Sequence, residues 1–451
     1  MSFKRLSLLA GLLVLAGTVT AQPVKNTNSP LVEYLKQPGT SADMVIMSAN
    51  SAPRLVSMNP DTMEKLRKEG RLEQVLQVLK RAKEQNAAAG TPLDRDYSPA
   101  ALKNGTAAGV NRTAITGTRK ALVLLADFSD ETAQVSYSSF TSMLFGDGNS
   151  MKKYYQEVSR NQFTLTGEVS QWFRVPQTST YYAGTSNGIG NDYPHNARKL
   201  VEDLVTLADP YIDFSQYDNK STGYVDALFV IHAGRGAEVS ASTTDIWSHQ
   251  WSISSKWVDG VRVSEYSIEP EYEYTPGDLS IGVFCHEYGH VLGLPDLYDT
   301  DYSSRGLGKW CLMANGSWNG GGDSPAWPSA WCRVYLGWET PVIPINNLKD
   351  YTLNPVETGG PVVKLWSNTT TESQYFLLEN RSTSGYDTGL PGSGLMIYHV
   401  DDSVYTSNEN EWYSGHTTSG HYLVALEQAD GLFHLEKKLN TGDTNDPWPG
   451  V

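Results

Sequence analysis

Residues 282–299 read GVFCHEYGHVLGLPDLYD, which sets two histidines, a glutamate and two aspartates in otherwise apolar surroundings. Charged groups are costly to bury unless something pairs with them. His286 and His290 stand four apart, and on an α-helix that spacing puts both rings on one face, about 6 Å apart along the axis. Two imidazoles so placed can hold one metal ion, and Glu287, beside the first, can reach a water on it. Gly293 can adopt the left-handed conformation that ends a helix. The chain can then turn back and bring Asp296 to the same ion. The run therefore reads H-E-x-x-H-x-x-G-x-x-D. A histidine on an apolar helix is ordinarily a satisfied core residue. H-E-x-x-H alone arises by chance in about one such chain in a hundred, and the added Gly and Asp make the match far rarer. Nitrogen ligands with one carboxylate suit zinc best.

The rest of the chain frames this helix. Its 451 residues suffice for two or three domains with a sizeable core. A net charge of -15 argues against nucleic acid or an anionic membrane as the main partner. MSFKRLSLLAGLLVLAGTVTAQ has Lys4 and Arg5, an apolar run and then Val19-Thr20-Ala21, the pattern of a secretory signal cleaved after Ala21. The apolar run is short for a membrane anchor, and no later segment approaches the roughly 20 apolar residues needed to span. Export permits disulfides, but Cys285, Cys311 and Cys332 are three, an odd number. Cys285 falls in the apolar helix, which leaves Cys311 with Cys332 as the expected pair.

Residues 22–117 differ from the rest of the mature chain. They carry 13 Lys and Arg against 9 Asp and Glu, a charge of +4, whereas residues 118–451 carry 20 against 41, or -21. One strong helix signal runs over residues 61–90, with Leu66, Leu72, Val75, Leu76 and Leu79 at helical spacing and Gly90 at its end. A Gly-, Ala-, Thr- and Asn-rich linker comes next. From Arg119 onward strands and helices mix. KALVLLADF and YVDALFVIHAG read as buried strands, and FTLTGEVSQWFRV alternates like a strand. Helices are expected near 136–146, 150–159, 195–208 and 325–337. Beyond Trp338, YTLNPV, VVKLWS, QYFLLEN, GLMIYHV and HYLVALEQ read as five strands of a β-rich part.

HEYGHVLGLPD followed by WCLMANGSWNG resembles the metzincin metallopeptidases, and more closely the immune-inhibitor-A-like group, secreted bacterial endopeptidases made with propeptides. The likeness runs from about Lys120 to the end and includes KKYYQEVSRNQFTLTGEV and GLMIYHVDD. The resemblance implies an α+β fold: a metzincin-like zinc peptidase domain over 118–340 and a β-rich part over 341–451. A signal peptide at 1–21 and a helical propeptide with linker at 22–117 would precede them. It also implies His286, His290 and Asp296 as zinc ligands, Glu287 as general base, and Met313 in a turn beneath the metal. Most metzincins have His where this chain has Asp296, and the immune-inhibitor group shares the Asp. Many place a Tyr two residues after the Met; here that position is Asn315, which leaves the oxyanion donor unassigned.

The expected protein is thus a secreted zinc endopeptidase, extracellular or at a bacterial cell surface, acting on protein or peptide substrates. It would be latent while its own propeptide, residues 22–117, covers the active-site cleft, until cleavage in the linker near Arg112 releases the block. Residues 22–117 contain neither Cys nor His, so a blocking ligand would be a carboxylate (Asp43, Asp61, Asp94 or Asp96) or the new amine at Gln22. Two other readings stand beside this one. One is a serine hydrolase using Ser186 of GTSNG (184–188), though a nucleophile elbow needs a strand before it and a helix directly after. The other is a metal-stabilised binding or adhesion protein with an idle site, against which an intact Glu287 argues. HAGRG (232–236) reads as a strand end and turn. DNKSTGYVD (218–226), EQADG (427–431) and DTNDPW (443–448) are acidic stretches where a structural calcium ion could sit, with Lys220 against it in the first.

Overall fold

A computed structural model describes residues 53–88, 114–300, 302–344, 351–365, 374–402 and 422–450. The proposed signal peptide, Gln22, Asp43, Asp94, Asp96 and most of the linker lie outside these residues. The described chain opens with strand β1 (Arg54–Leu55), then helices α1 (Pro60–Lys68) and α2 (Leu72–Ala88). Asn59 caps α1 by accepting from the backbone N–H of Asp61 and Thr62, with Pro60 as the first helical residue. The single helix expected over 61–90 is therefore two. Gly70, at φ +69°, breaks it where a helix would need negative φ.

The chain continues with β2 (Gly117–Asp127), α3 (Tyr137–Phe145), α4 (Met151–Val158), β3 (Phe163–Arg174), α5 (Ser179–Ala183) and α6 (Ala197–Ala208). Next come β4 (Leu228–Arg235), α7 (Ala237–Ser240), β5 (His249–Val258), β6 (Val261–Tyr272), α8 (Gly282–Val291) and α9 (Ala330–Tyr335). The fold is mixed α/β. Six strands form one sheet in the order β1-β5-β6-β4-β2-β3. β6, β4, β2 and β3 run parallel to one another, whereas β5 is antiparallel to β6 and β1 to β5.

Both faces of this sheet are covered, as its apolar runs require. On one face Val123, Leu125, Phe229 and Ile231 pack with α3, α4 and α8. On the other, Leu122, Leu124, Leu228 and Val230 pack with Leu200, Val201, Leu204 and Val205 of α6. The β5–β6 hairpin turns at Asp259 (φ +49°) and Gly260 (φ +79°), the two successive positive φ values of a type I′ turn.

A second, antiparallel sheet has the order β10-β9-β8-β7, with β7 (Val363–Leu365), β8 (Gln374–Arg381), β9 (Gly394–Asp401) and β10 (Val424–Leu426). Four of the five strands expected after Trp338 form. YTLNPV does not, and only Pro355 bridges to Asn380. Leu377, Met396 and Tyr398 of this sheet belong to the same apolar cluster as α8. Buried ion pairs add to the join: Arg333 of α9 meets Glu379 at 2.5 Å, and Glu379 lies 3.2 Å from Arg381.

Cys311 and Cys332 do face each other, but as buried thiols whose sulfurs are 4.0 Å apart. A bond would need about 2.05 Å. Cys285 is buried in α8. Among the described residues no helix is long and apolar enough to cross a membrane.

Candidate metal centre

Helix α8 is buried from Gly282 through His290. Phe284 and Tyr288 lean on Phe229 of the central strand β4, with ring centroids 6.3 and 5.8 Å away. This packing fixes the rotation of the helix and turns His286 and His290 to a common side, their ring centroids 4.9 Å apart. Gly293, at φ +98°, ends the run as the sequence predicts. The returning chain is held on both edges by Leu297, whose N–H donates to Met313 O (2.7 Å) and whose carbonyl accepts from Leu307 N–H (2.9 Å). That places Asp296 against the two imidazoles. Met313 lies beneath: a Cβ at Gly289 would run into its sulfur, so glycine is needed there for close approach.

The structure thus brings together His286, His290 and Asp296, with one ligand atom of each within 4.8 Å of the others. Asp296 Oδ1 lies 3.1 Å from His286 Nε2 and 3.3 Å from His290 Nε2. The opposite ring nitrogens face backbone carbonyls, His286 Nδ1 at 3.0 Å from Leu312 O and His290 Nδ1 at 2.8 Å from Leu294 O. A carbonyl only accepts, so each Nδ1 carries the proton, and in the neutral ring each Nε2 presents a lone pair. Burial pushes the His290 pKa down and keeps that ring neutral. Three acceptors then converge with no donor among them. Oδ2 of Asp296 and Nε2 of His290 are both buried without a hydrogen bond. That donor set fits a cation.

Glu287 is fully buried, and neither carboxylate oxygen has a hydrogen-bond partner. Its pKa is raised by burial first, then by the charges of Glu269, Asp296 and Glu238.

Part of the N-terminal segment lies beside this centre, and the sequence alone does not reveal which residues do so. Arg54 pairs with Gln250 and Leu55 with His249 at the sheet edge. Tyr298 Oη donates to Leu55 O (2.7 Å), Trp247 Nε1 to Val56 O (3.0 Å) and Trp318 Nε1 to Ser57 O (2.9 Å). Asn315 Nδ2 reaches Ser57 Oγ at 3.2 Å, and Met58 N–H donates to Tyr302 Oη at 3.1 Å. Arg54 is buried, and its charge bears on both Glu287 and His290. The flanking prolines of PRLVSMNP (53–60) are the available signal, since a residue before proline is pushed toward extended backbone. Asp61 sits exposed in the first turn of α1, away from the three ligands.

The remaining stretches fall elsewhere. Ser186 follows the short helix α5, not a strand, and no histidine is hydrogen-bonded to it among the described residues. His232 to Arg235 end β4 and line a cavity of about 230 Å³ with Glu131 and Asp245. In 218–226, Asp218 accepts from the N–H of Thr222 (2.8 Å) and Gly223 (2.7 Å), and Lys220 pairs with Asp226 at 3.2 Å.

Residues 110–339 match the family described as immune inhibitor A peptidase M6, catalytic domain. The pre-pro-metalloprotease PrtV of Vibrio cholerae serotype O1 is 32% identical over 306 residues, 56% of this chain and 33% of PrtV. Immune inhibitor A of Bacillus thuringiensis subsp. alesti is 33% identical over 257 residues, 45% of this chain and 36% of that protein. The chain spans about a third of the length of the curated relatives it matches.

Proposed function

This chain belongs to the immune inhibitor A peptidase M6 family, and on that premise we propose that it is a secreted bacterial zinc endopeptidase with a metzincin-like catalytic domain, made as a latent zymogen. The observation that carries the reading is the convergence of His286 Nε2, His290 Nε2 and Asp296 Oδ1 as three acceptors that lack a donor. Relatives named as metalloproteases support it.

His286, His290 and Asp296 would hold the ion, with the carbonyls of Leu312 and Leu294 fixing the two rings. A bound zinc ion would supply a Lewis acid that polarises a peptide carbonyl and acidifies a water. Glu287 acts as the general base: its carboxylate takes a proton from the attacking water and passes it to the leaving amine. Its burial suits that role, because a raised pKa brings a carboxylate nearer the working pH. Tyr298 points a hydroxyl at a peptide carbonyl in the cleft, that of Leu55, and orients whatever strand lies there. Protein substrates would take the edge position that β1 holds beside β5.

Latency belongs to the same proposal. Residues 22–117 are the propeptide, and Arg54–Asn59 is the part that fills the cleft. What supports this is the row of backbone hydrogen bonds from Trp247, Tyr298 and Trp318. The division into a signal at 1–21, the propeptide, a catalytic domain at 118–340 and a β-rich part at 341–451 completes the reading. Calcium as a structural ion gains nothing at 218–226, where the chain's own N–H groups and Lys220 serve the carboxylates.

The test is zinc content and casein digestion of the chain after removal of its N-terminal segment, beside a His286→Ala, His290→Ala variant. One zinc lost together with activity is the expected result. Equal digestion by both proteins would overturn the reading.

A further inference from the structure

The stretches EQADG and DTNDPW, far from α8 in sequence, meet in space: Ala429 N–H donates to Asp446 O at 2.9 Å. Asp430, His434 and Asp443 then each turn one ligand atom into a common space, all within 4.8 Å of one another. His434 Nδ1 is 3.3 Å from Asp443 Oδ2, and Asn440 Nδ2 donates to the same oxygen at 2.6 Å. Acidic clusters are common on surfaces, so this grouping alone decides nothing.

A buried carboxylate beside it does. Asp446 is 1% exposed. Its Oδ2 accepts from Trp310 Nε1 and from Asp443 N–H, both at 2.9 Å, while its Oδ1 is buried without any hydrogen bond. Asp430 Oδ2 is likewise buried and unpartnered. Among the described residues no Lys or Arg pairs with these three carboxylates, and the His434 ring is the basic group beside them. Buried charge without a partner is costly, and a cation removes that cost.

We propose that Asp430, His434 and Asp443, backed by the buried carboxylate of Asp446, form a second divalent-metal site, separate from the centre on α8, that takes an ion of the zinc class. Imidazole nitrogen with carboxylate oxygen selects such an ion, whereas calcium prefers oxygen throughout. The site would act as a clasp. Leu435 O accepts from Arg305 N–H (3.1 Å), Thr441 O from Lys309 N–H (2.7 Å), and Asp446 holds Trp310. The same loop therefore grips the run that joins Asp296 to Met313. The second site does not depend on the peptidase reading.

Cobalt(II), a coloured stand-in for zinc, is the probe. The full chain carrying His286→Ala and His290→Ala is stripped with EDTA and titrated. One equivalent should bind, with visible d–d absorption and a higher Tm. Adding His434→Ala and Asp443→Asn should abolish both signals. With α8 intact, those two changes should lower bound zinc by one equivalent, a readout that needs no change at the first centre. Failure to bind cobalt or zinc, binding that survives the His434 and Asp443 changes, or binding of calcium alone would overturn the site.

Discussion

The Trp318 indole donates to the Ser57 carbonyl across 2.9 Å, joining the N-terminal segment to the loop beyond Met313. If that segment is the inhibitory plug, this bond is part of its affinity. A hydrogen bond of this kind is worth about 0.5–1.5 kcal/mol net. Trp318→Phe keeps the bulk and removes the donor. It should weaken inhibition by the separated fragment, residues 22–113 added in trans, by roughly 2- to 12-fold. An unchanged inhibition constant would place the plug elsewhere.

Glu287→Gln should keep the metal and lose activity. The side chain is buried and close to isosteric with the original, and it is not among the three converging ligands. Proton shuttling is typically worth about 10²–10⁴-fold. Metal analysis and casein digestion on one preparation separate the two effects. Digestion at the wild-type rate would remove Glu287 from the mechanism.

Asp296 and Asp299 are both buried, and the structure gives them different work. Asp296 faces the two imidazoles, whereas Asp299 Oδ2 accepts from Ser303 Oγ (2.8 Å) and Ser304 Oγ (2.7 Å). Asp296→Ala should empty the centre of zinc. Asp299→Ala should leave zinc in place and lower Tm through the lost turn. Full zinc occupancy in the Asp296 variant would contradict the assignment.

Tyr298 Oη donates to the Leu55 carbonyl, its ring centroid 6.4 Å from that of His286, and under the proposed function it would give the same bond to a substrate carbonyl. Tyr298→Phe should lower kcat by about 10²–10³-fold, the usual loss for such a donor. Zinc content should not change and KM should change little. If instead KM rises and kcat holds, Tyr298 only helps to seat the strand.

The helix of the centre is legible in the sequence because its chemistry is local: His286, Glu287, His290, Gly293 and Asp296 lie within eleven residues, and one helical turn and one glycine set their geometry. The buried strands β2 and β4 are legible from apolar runs. The β5–β6 hairpin is not among the expected elements, although Asp259-Gly260 between alternating residues is a strong turn signal. The placement of Arg54 and Leu55 is hidden for a different reason. Arg54 and Leu55 form a strand only by pairing with Gln250 and His249, nearly two hundred residues on. No local pattern encodes so distant a partner. The same holds for the buried Arg333–Glu379 pair.

The proposal that a metal held by α8 and Asp296 drives peptide hydrolysis is tested most directly by stripping the cleaved chain with a zinc chelator and restoring zinc in steps while casein digestion is followed. Activity should fall to background and return in proportion to zinc bound by His286, His290 and Asp296, and a fluorophosphonate should have no effect. Activity that survives the chelator and is lost to the fluorophosphonate, with Ser186 labelled, would contradict it.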